Sequence, residues 1–301
     1  MSLHRYFLLS ATIGALAACS NDSTAPVFKT PATAGLIRFI NAVPDTGFQD
    51  FRFMDVLEGV PNVEFVNLPF RGGTNVAFQR TTVGPHHIRV FMGSSNTTPS
   101  SPNGFDPAVV TTVMADTTFT FQQDVAQTFV FYGSARGGAQ KFLITTDNRP
   151  SLTATSATLG FRATNLTAGA VDIYLVPGST AATTASGTAV ITNVAPLGTS
   201  AYITPAVAAV ADTSSGYTVV VTAAGTTNVV ATQLMPAGSP FVKEVPGTSG
   251  ALDPVAGSRI SGSIFTAYIF PRSVAGSKAP QTSAFTTPGV GLTIDMNPPR
   301  P

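Results

Sequence analysis

Leu36-Ile37-Arg38-Phe39-Ile40-Asn41-Ala42-Val43-Pro44-Asp45, running on to Asp50-Phe51-Arg52-Phe53, returns later in the chain as Leu159-Gly160-Phe161-Arg162-Ala163-Thr164-Asn165-Leu166-Thr167, running on to Asp172-Ile173-Tyr174-Leu175. In each copy an Arg is followed by Asn three residues on, then by a short loop, then by an Asp that opens an apolar-alternating run. Two such copies in 301 residues argue for a duplicated domain. Read with a period of two, Ile37 and Phe39 share a face with Asn41, as Phe161 and Ala163 share one with Asn165. Arg38 and Arg162 then fall on the opposite face. On the next strand Phe51 and Phe53, or Ile173 and Leu175, point inward and leave Asp50 and Asp172 outside. The pattern predicts an exposed cross-strand pair Arg38–Asp50, repeated as Arg162–Asp172, each contributing about 0–1 kcal/mol. A duplicated acidic ligand site is the sharper reading of the same residues. Asn41 and Asn165 are expected to bond local backbone where the strand enters its loop.

Around this motif the chain is written in strand and turn vocabulary. Charged residues make up 10% and hydrophobic ones 44%, which excludes a charge-rich disordered chain. Short runs of Val, Ile, Phe and Thr are cut by 27 Gly and 23 Pro. The expected fold is all-β, two tandem antiparallel β-sandwich (Ig-like) domains, with domain 1 over 36–150 and domain 2 over 157–301. Expected strands in the first are Leu36–Ala42, Phe51–Met54, Asn62–Asn67, Thr74–Phe78, His86–Met92, Val109–Met114, Phe119–Phe121, Gln127–Tyr132 and Lys141–Thr145. In the second they are Leu159–Asn165, Ile173–Val176, Ala189–Asn193, Ala201–Ile203, Tyr217–Thr222, Asn228–Leu234, Ile264–Ile269 and Leu292–Asp295. The halves end alike, Asp147-Asn148-Arg149-Pro150 against Asp295-Met296-Asn297-Pro298. A long Gly/Pro loop after Pro271 and a returning edge strand therefore belong to the second domain.

The N-terminus reads as an export signal. His4-Arg5 is a weak basic region, and Tyr6 to Ala15 is an apolar segment short of the roughly 20 residues of a membrane span. Leu16-Ala17-Ala18-Cys19 follows and resembles the bacterial lipobox, with Cys19 the single Cys of the chain. The plainer reading is an ordinary signal peptide ending at Ala18. The resemblance implies a lipoprotein signal peptide over 1–18, acyl chains (diacylglyceryl, palmitate-like) on Cys19, and a lipidated tether over 19–35. More than one acyl chain, at about 0.8 kcal/mol per buried methylene, gives stable membrane attachment. Ser20, rather than Asp, after the Cys resembles the set released to the outer membrane where the host has two membranes. Without Arg5 the 16 basic residues become 15, against 15 acidic ones, and no Lys/Arg cluster occurs. Nucleic acid is therefore not an expected partner.

With the Arg–Asn motif, the Asp-opened strand and the later Gly216-Tyr217-Thr218-Val219 strand in view, the chain resembles domain of unknown function 4397. The similarity appears in both halves. It implies an exported β-sandwich protein, often a lipoprotein with tandem copies, and it carries over no activity and no functional residue. The first copy has nine positions from Asn41 to Asp50 where the second has seven from Asn165 to Asp172, so that loop is remodelled.

The chemistry-bearing residues are few. His86 and His87 are neighbours on a strand and face opposite sides, a poor start for a metal site. Asp45, Asp50 and Asp55 recur at five-residue intervals, a weak calcium pattern split between loop and strand. Gly133-Ser134-Ala135-Arg136-Gly137 places its Ser one position early for a nucleophile elbow, and no phosphate-binding Gly-rich motif occurs. The sequence thus points away from an enzyme and from any cofactor. The expected function is a non-catalytic cell-envelope lipoprotein that presents its sandwiches to an envelope protein or surface partner. The alternative is a carbohydrate-binding or glycan-anchored module. For that the chain offers no Trp and, after the signal segment, Tyr132, Tyr174, Tyr202 and Tyr268 as candidate sugar platforms.

Overall fold

The computed structural model describes residues 34–55, 65–93, 112–178, 180–208, 216–243 and 251–301. The signal segment with Leu16, Ala17, Ala18 and Cys19 lies outside the described residues. So do the tether up to residue 33, the start of the expected strands Asn62–Asn67 and Val109–Met114, and most of the loop from Gly93 to Pro107.

The first sandwich is built from β1 (Ala34–Ala42), β2 (Gln49–Phe53), β3 (Phe65–Leu68), β4 (Gln79–Thr82), β5 (Gly84–Met92), β6 (Val113–Phe121), β7 (Ala126–Tyr132) and β8 (Lys141–Thr146). The second uses β9 (Gly160–Asn165), β10 (Val171–Gly178), β11 (Ile191–Val194), β12 (Gly216–Ala223), β13 (Val229–Leu234), β14 (Ile264–Phe270) and β15 (Gly289–Met296), with one helical turn, α1 (Ser283–Thr286). The sheet orders match. β3-β2-β5-β6 corresponds to β11-β10-β12-β13, and β4-β1-β7-β8 corresponds to β9, β14 and β15. The place of β4 is taken in the second half by bridges such as Phe161 to Ile203. Pairing is antiparallel except for one parallel pair in each half, β1 with β7 and β9 with β14.

Four expected strands differ. The run Thr74–Phe78 is turn and irregular backbone, and pairing with β1 starts only at Gln79. Gly73 holds the preceding turn at φ +92, where a Cβ would come within 2.1 Å of the Phe39 carbonyl oxygen. Val113–Met114 and Phe119–Phe121 belong to one strand, β6. Asp116, between them, faces Arg89 across the pair β5–β6. Ala201–Ile203 makes a single bridge rather than a strand.

Each sandwich has its own core. In the first, Phe39, Phe51, Phe65, Phe121, Phe129 and Phe131 are buried together with Ile37, Ile88 and Val90. Phe39 and Phe51 stack at 4.8 Å between ring centres, and Phe39 meets Phe65 edge-on at 5.0 Å. The second core is mainly aliphatic, with Ile173, Val219, Val221 and Ile269 around Phe161 and Phe265. A third cluster lies between the sandwiches: Ile40, Ala42 and Val130 from the first meet Leu166, Tyr268 and Phe270 from the second. The sheets carrying β1 and β9 therefore pack against each other, giving four layers in all. This accounts for β14 being buried at all seven of its positions, since a strand covered on both faces cannot alternate.

Candidate functional site at the junction of the two sandwiches

Arg38 sits on the β1 face shared with Ile40 and Ala42, and that face is the junction. It is 0% exposed. It does not pair with Asp50. Its Nη2 donates to Asp295 Oδ1 at 2.6 Å and to Thr128 Oγ1 at 3.2 Å, and its Nη1 donates to the Ile294 carbonyl oxygen at 3.3 Å. Asp147 lies 4.0 Å away. Arg162 repeats the arrangement with the halves exchanged. It forms an ion pair with Asp147, its Nε donates to Thr266 Oγ1 at 2.8 Å, and its Nη1 donates to the Thr146 carbonyl oxygen at 3.1 Å. Aromatic rings cover both cations: Phe78 stands 4.1 Å from Arg38 Cζ, and Tyr202 stands 4.5 Å from Arg162 Cζ.

The equivalences close on every side. Thr128 is the β7 partner of Arg38 in register, as Thr266 is the β14 partner of Arg162. Asp147 and Asp295 come from the matching ends of the two halves. The junction is thus a pseudo-twofold clamp in which each half supplies the cation for the other half's carboxylate. Two Arg and two Asp leave it neutral, so the desolvation cost of each charge is offset inside the cluster.

One substitution breaks the symmetry. The Tyr202 hydroxyl donates to Asp295 Oδ2 at 2.9 Å, and Phe78 has no such group. Burial first, and then the neighbouring Asp295 carboxylate, push the Tyr202 phenol far above its ordinary value, so it remains a donor. Asp295 also accepts from Thr266 at 2.5 Å and Thr293 at 3.0 Å.

Asp50 and Asp172 have another task, in place of the expected pairs with Arg38 and Arg162. Asp50 Oδ1 accepts the Asn67 N–H at 2.8 Å, and Asp172 Oδ1 accepts the Asn193 N–H at 2.7 Å. Asn67 and Asn193 hold φ of 53° and 52°, the left-handed conformation that Asn tolerates. Both lie where the register shifts between β2 and β3 or between β10 and β11. The repeated Asp therefore fixes a bulge. Asp50 also takes Arg52 Nη2 at 2.6 Å, and Asp172 takes the Gly225 N–H at 2.7 Å.

Asn41 Nδ2 donates to the carbonyl oxygens of Leu68 (2.9 Å) and Gly47 (3.3 Å), while its Oδ1 accepts the Val43 N–H (3.0 Å). Asn165 repeats this with Val194, Gly169 and Thr167.

Beside the clamp, the loop Pro69-Phe70-Arg71-Gly72 of the first half reaches the second. Arg71 donates to the carbonyl oxygens of Ala284 (2.8 Å), Pro271 (2.7 Å) and Thr287 (2.5 Å), and Phe70 packs on Phe270 and Phe285. Burial pushes Arg71 down to about 10. Its counterpart is Leu197: both residues have positive φ and donate N–H to the Asn carbonyl of the motif.

The other candidates are spent locally. Asp45 holds the loop at Ser134, accepting from the Ser134 hydroxyl (2.7 Å) and from the N–H groups of Ala135 (2.8 Å) and Arg136 (3.1 Å). His86 is buried, with Nδ1 3.3 Å from Asp55 and Nε2 2.9 Å from Thr82 Oγ1. His87 faces outward onto Asp116. Among the described residues no three acidic, His or Cys side chains gather as a metal site. Tyr268 is fully buried and Tyr202 covers Arg162, so neither is an open platform for a sugar. No helix among the described residues is long and apolar enough to cross a membrane.

Fold and clamp together define a double β-sandwich whose halves are joined face to face through a buried ionic cluster. Within it, residues 35–174 match the family described as a domain of unknown function (DUF4397). That stretch holds both copies of the motif, from Arg38, Asn41 and Asp50 to Arg162, Asn165 and Asp172, so the resemblance seen in the sequence is met there. No curated protein matches the chain.

Proposed function

We propose that the chain is an exported, lipid-anchored and non-catalytic cell-envelope protein that presents a rigid double sandwich to a protein or surface partner. One observation carries this reading. The Arg, Asp and Asn side chains that the sequence repeats are consumed in joining the halves and fixing their bulges, so the repeated motif serves architecture. Recognition then falls to loops and outer faces, where functional residues on rigid scaffolds ordinarily lie. The lipobox at Leu16-Ala17-Ala18-Cys19 supports attachment through Cys19, at the outer membrane where the host has two.

Protease treatment of intact cells, with Cys19→Ala as control, tests the proposal. The wild type is expected in the membrane fraction and Cys19→Ala in the soluble one. Digestion on whole cells would favour surface recognition, and protection until the outer membrane is opened would favour a periplasmic scaffold. A Cys19→Ala chain that stays membrane-bound overturns the anchor. A turnover activity abolished by one point substitution that leaves folding intact overturns the non-catalytic role.

A further inference from the structure

Along one edge of the junction the facing sheets part and leave an open groove of about 510 Å³, within the ~300–1,000 Å³ usual for small-ligand sites. Its walls are largely apolar: Leu36 and Phe78 from the first sandwich, Phe265, Leu292 and Ile294 from the second. Arg149 lines the same groove. Its Nη1 donates to the backbone oxygen of Asp295 at 3.0 Å, and among the described residues no carboxylate lies within ion-pair distance of it. Asp295 also borders the groove, but its charge is already taken by Arg38 and by the hydroxyls of Tyr202, Thr266 and Thr293. An apolar trough with one uncompensated guanidinium is the complement of an amphiphile with an anionic head.

We propose that this groove binds a single-chain carboxylate amphiphile of the fatty-acid class, its acyl chain along Leu36, Phe78, Leu292 and Ile294 and its carboxylate on Arg149. A single apolar trough with a single guanidinium suits one chain and one anionic head. Pseudo-symmetry explains why the opposite edge differs. The counterpart of Leu36 there is Gly160, and Pro150 packs so closely that a Cβ on Gly160 would lie 3.1 Å from Pro150 Cγ. There Pro150 packs against the bare Gly160 backbone, whereas on this side Leu36 borders the groove. The inference does not depend on where the chain is anchored.

Isothermal titration of laurate, dodecylammonium and dodecanol into the full chain carrying Cys19→Ala tests it, since no covalent acyl group then competes. Laurate is expected to bind one to one and more tightly than dodecylammonium. Arg149→Glu should weaken laurate about tenfold and leave dodecanol within about twofold, the scale of one charge-assisted contact. Ile294→Glu, at a partly exposed position of the wall, should weaken laurate and dodecanol alike while thermal unfolding stays unchanged. The proposal is overturned by any of four results: no saturable binding, a stoichiometry other than one, equal affinity for the two charged amphiphiles, or either variant binding laurate as the parent does.

Discussion

The two sandwiches share a strand order and a motif, yet they solve the same problem with different side chains. Sandwich one stacks Phe rings in its core where sandwich two relies on Ile and Val. At the junction each half gives an Arg and takes an Asp, but Asp295 has a phenol beside it where Asp147 has none. At the first turn after β3 the left-handed residue is Arg71 in one half and Leu197 in the other. Positions that shape the fold (Arg38, Asn41 and Asp50, with Arg162, Asn165 and Asp172) are held in both halves. Those that differ lie in the two cores and in the surroundings of the clamp. Two sandwiches that pack on each other hold the clamp in common and differ around it, because the clamp residues are each other's counter-charges.

The largest break in this comparison is removal of a clamp cation. Arg38→Ala leaves the buried Asp295 without its charge partner while Asp147 keeps Arg162, and urea unfolding should report a loss of about 3–5 kcal/mol. Arg162→Ala should cost less, since the Arg162 side chain is 4% exposed where that of Arg38 is 0%. The double variant Arg38→Met with Asp295→Leu should recover much of the loss, because it removes both charges together. A loss below about 1 kcal/mol for Arg38→Ala would be the value of an exposed pair, and it would mean that the junction opens in solution.

That exposed pair is what period two suggested, and the reason it misled is specific. Alternation placed Arg38 opposite Phe39 correctly, but it carries no information about what covers the second face. Ile40 and Ala42 share that face and are apolar, the local signal that it is buried. The partner, Asp295, is 257 residues away, a distance no window reaches. The repeated chain ends, Asp147-Asn148-Arg149-Pro150 and Asp295-Met296-Asn297-Pro298, did mark the two carboxylates as equivalent. Most strands were legible because β-branched and aromatic runs are bounded by Gly, Pro and Asn. Thr74–Phe78 was not, since its backbone is diverted by the Gly73 turn and Phe78 is used to cover Arg38. The groove was not legible at all, being formed by strands from both halves.

A second comparison is between the bulge-fixing carboxylates. Asp172→Ala leaves two N–H groups, of Asn193 and Gly225, without their acceptor, and should cost about 2–3 kcal/mol. Asp50→Ala frees one N–H, of Asn67, and a half-exposed Arg52, and should cost about 1–2 kcal/mol. Equal losses would show that the bulges contribute through packing alone. The asymmetry at the clamp is sharpened by an exchange. Tyr202→Phe should cost about 1.5 kcal/mol, the scale of a hydrogen bond to a charged group. Phe78→Tyr supplies the missing hydroxyl to the other side and should gain less than about 1 kcal/mol, read as a rise in unfolding midpoint.

The smallest effect lies at low pH and is confined to the first sandwich. Burial alone would raise the Asp45 carboxyl, but hydrogen bonds from Ser134, Ala135 and Arg136 outweigh it and hold the group below its usual value. A carboxyl depressed in the folded state stabilises the fold above its unfolded value of about 3.9 and loses that contribution as pH falls through the folded value. The loop at Ser134 should therefore loosen first below about pH 4, seen as faster amide exchange at Ala135 and Arg136. In the second half Gly169 stands near the matching place after Asn165 and has no carboxyl, so the loop after Asn165 should show no such acid step. Asp45→Asn should remove the step in the first half and leave the second unchanged. A step that persists in Asp45→Asn would overturn the assignment to this carboxyl.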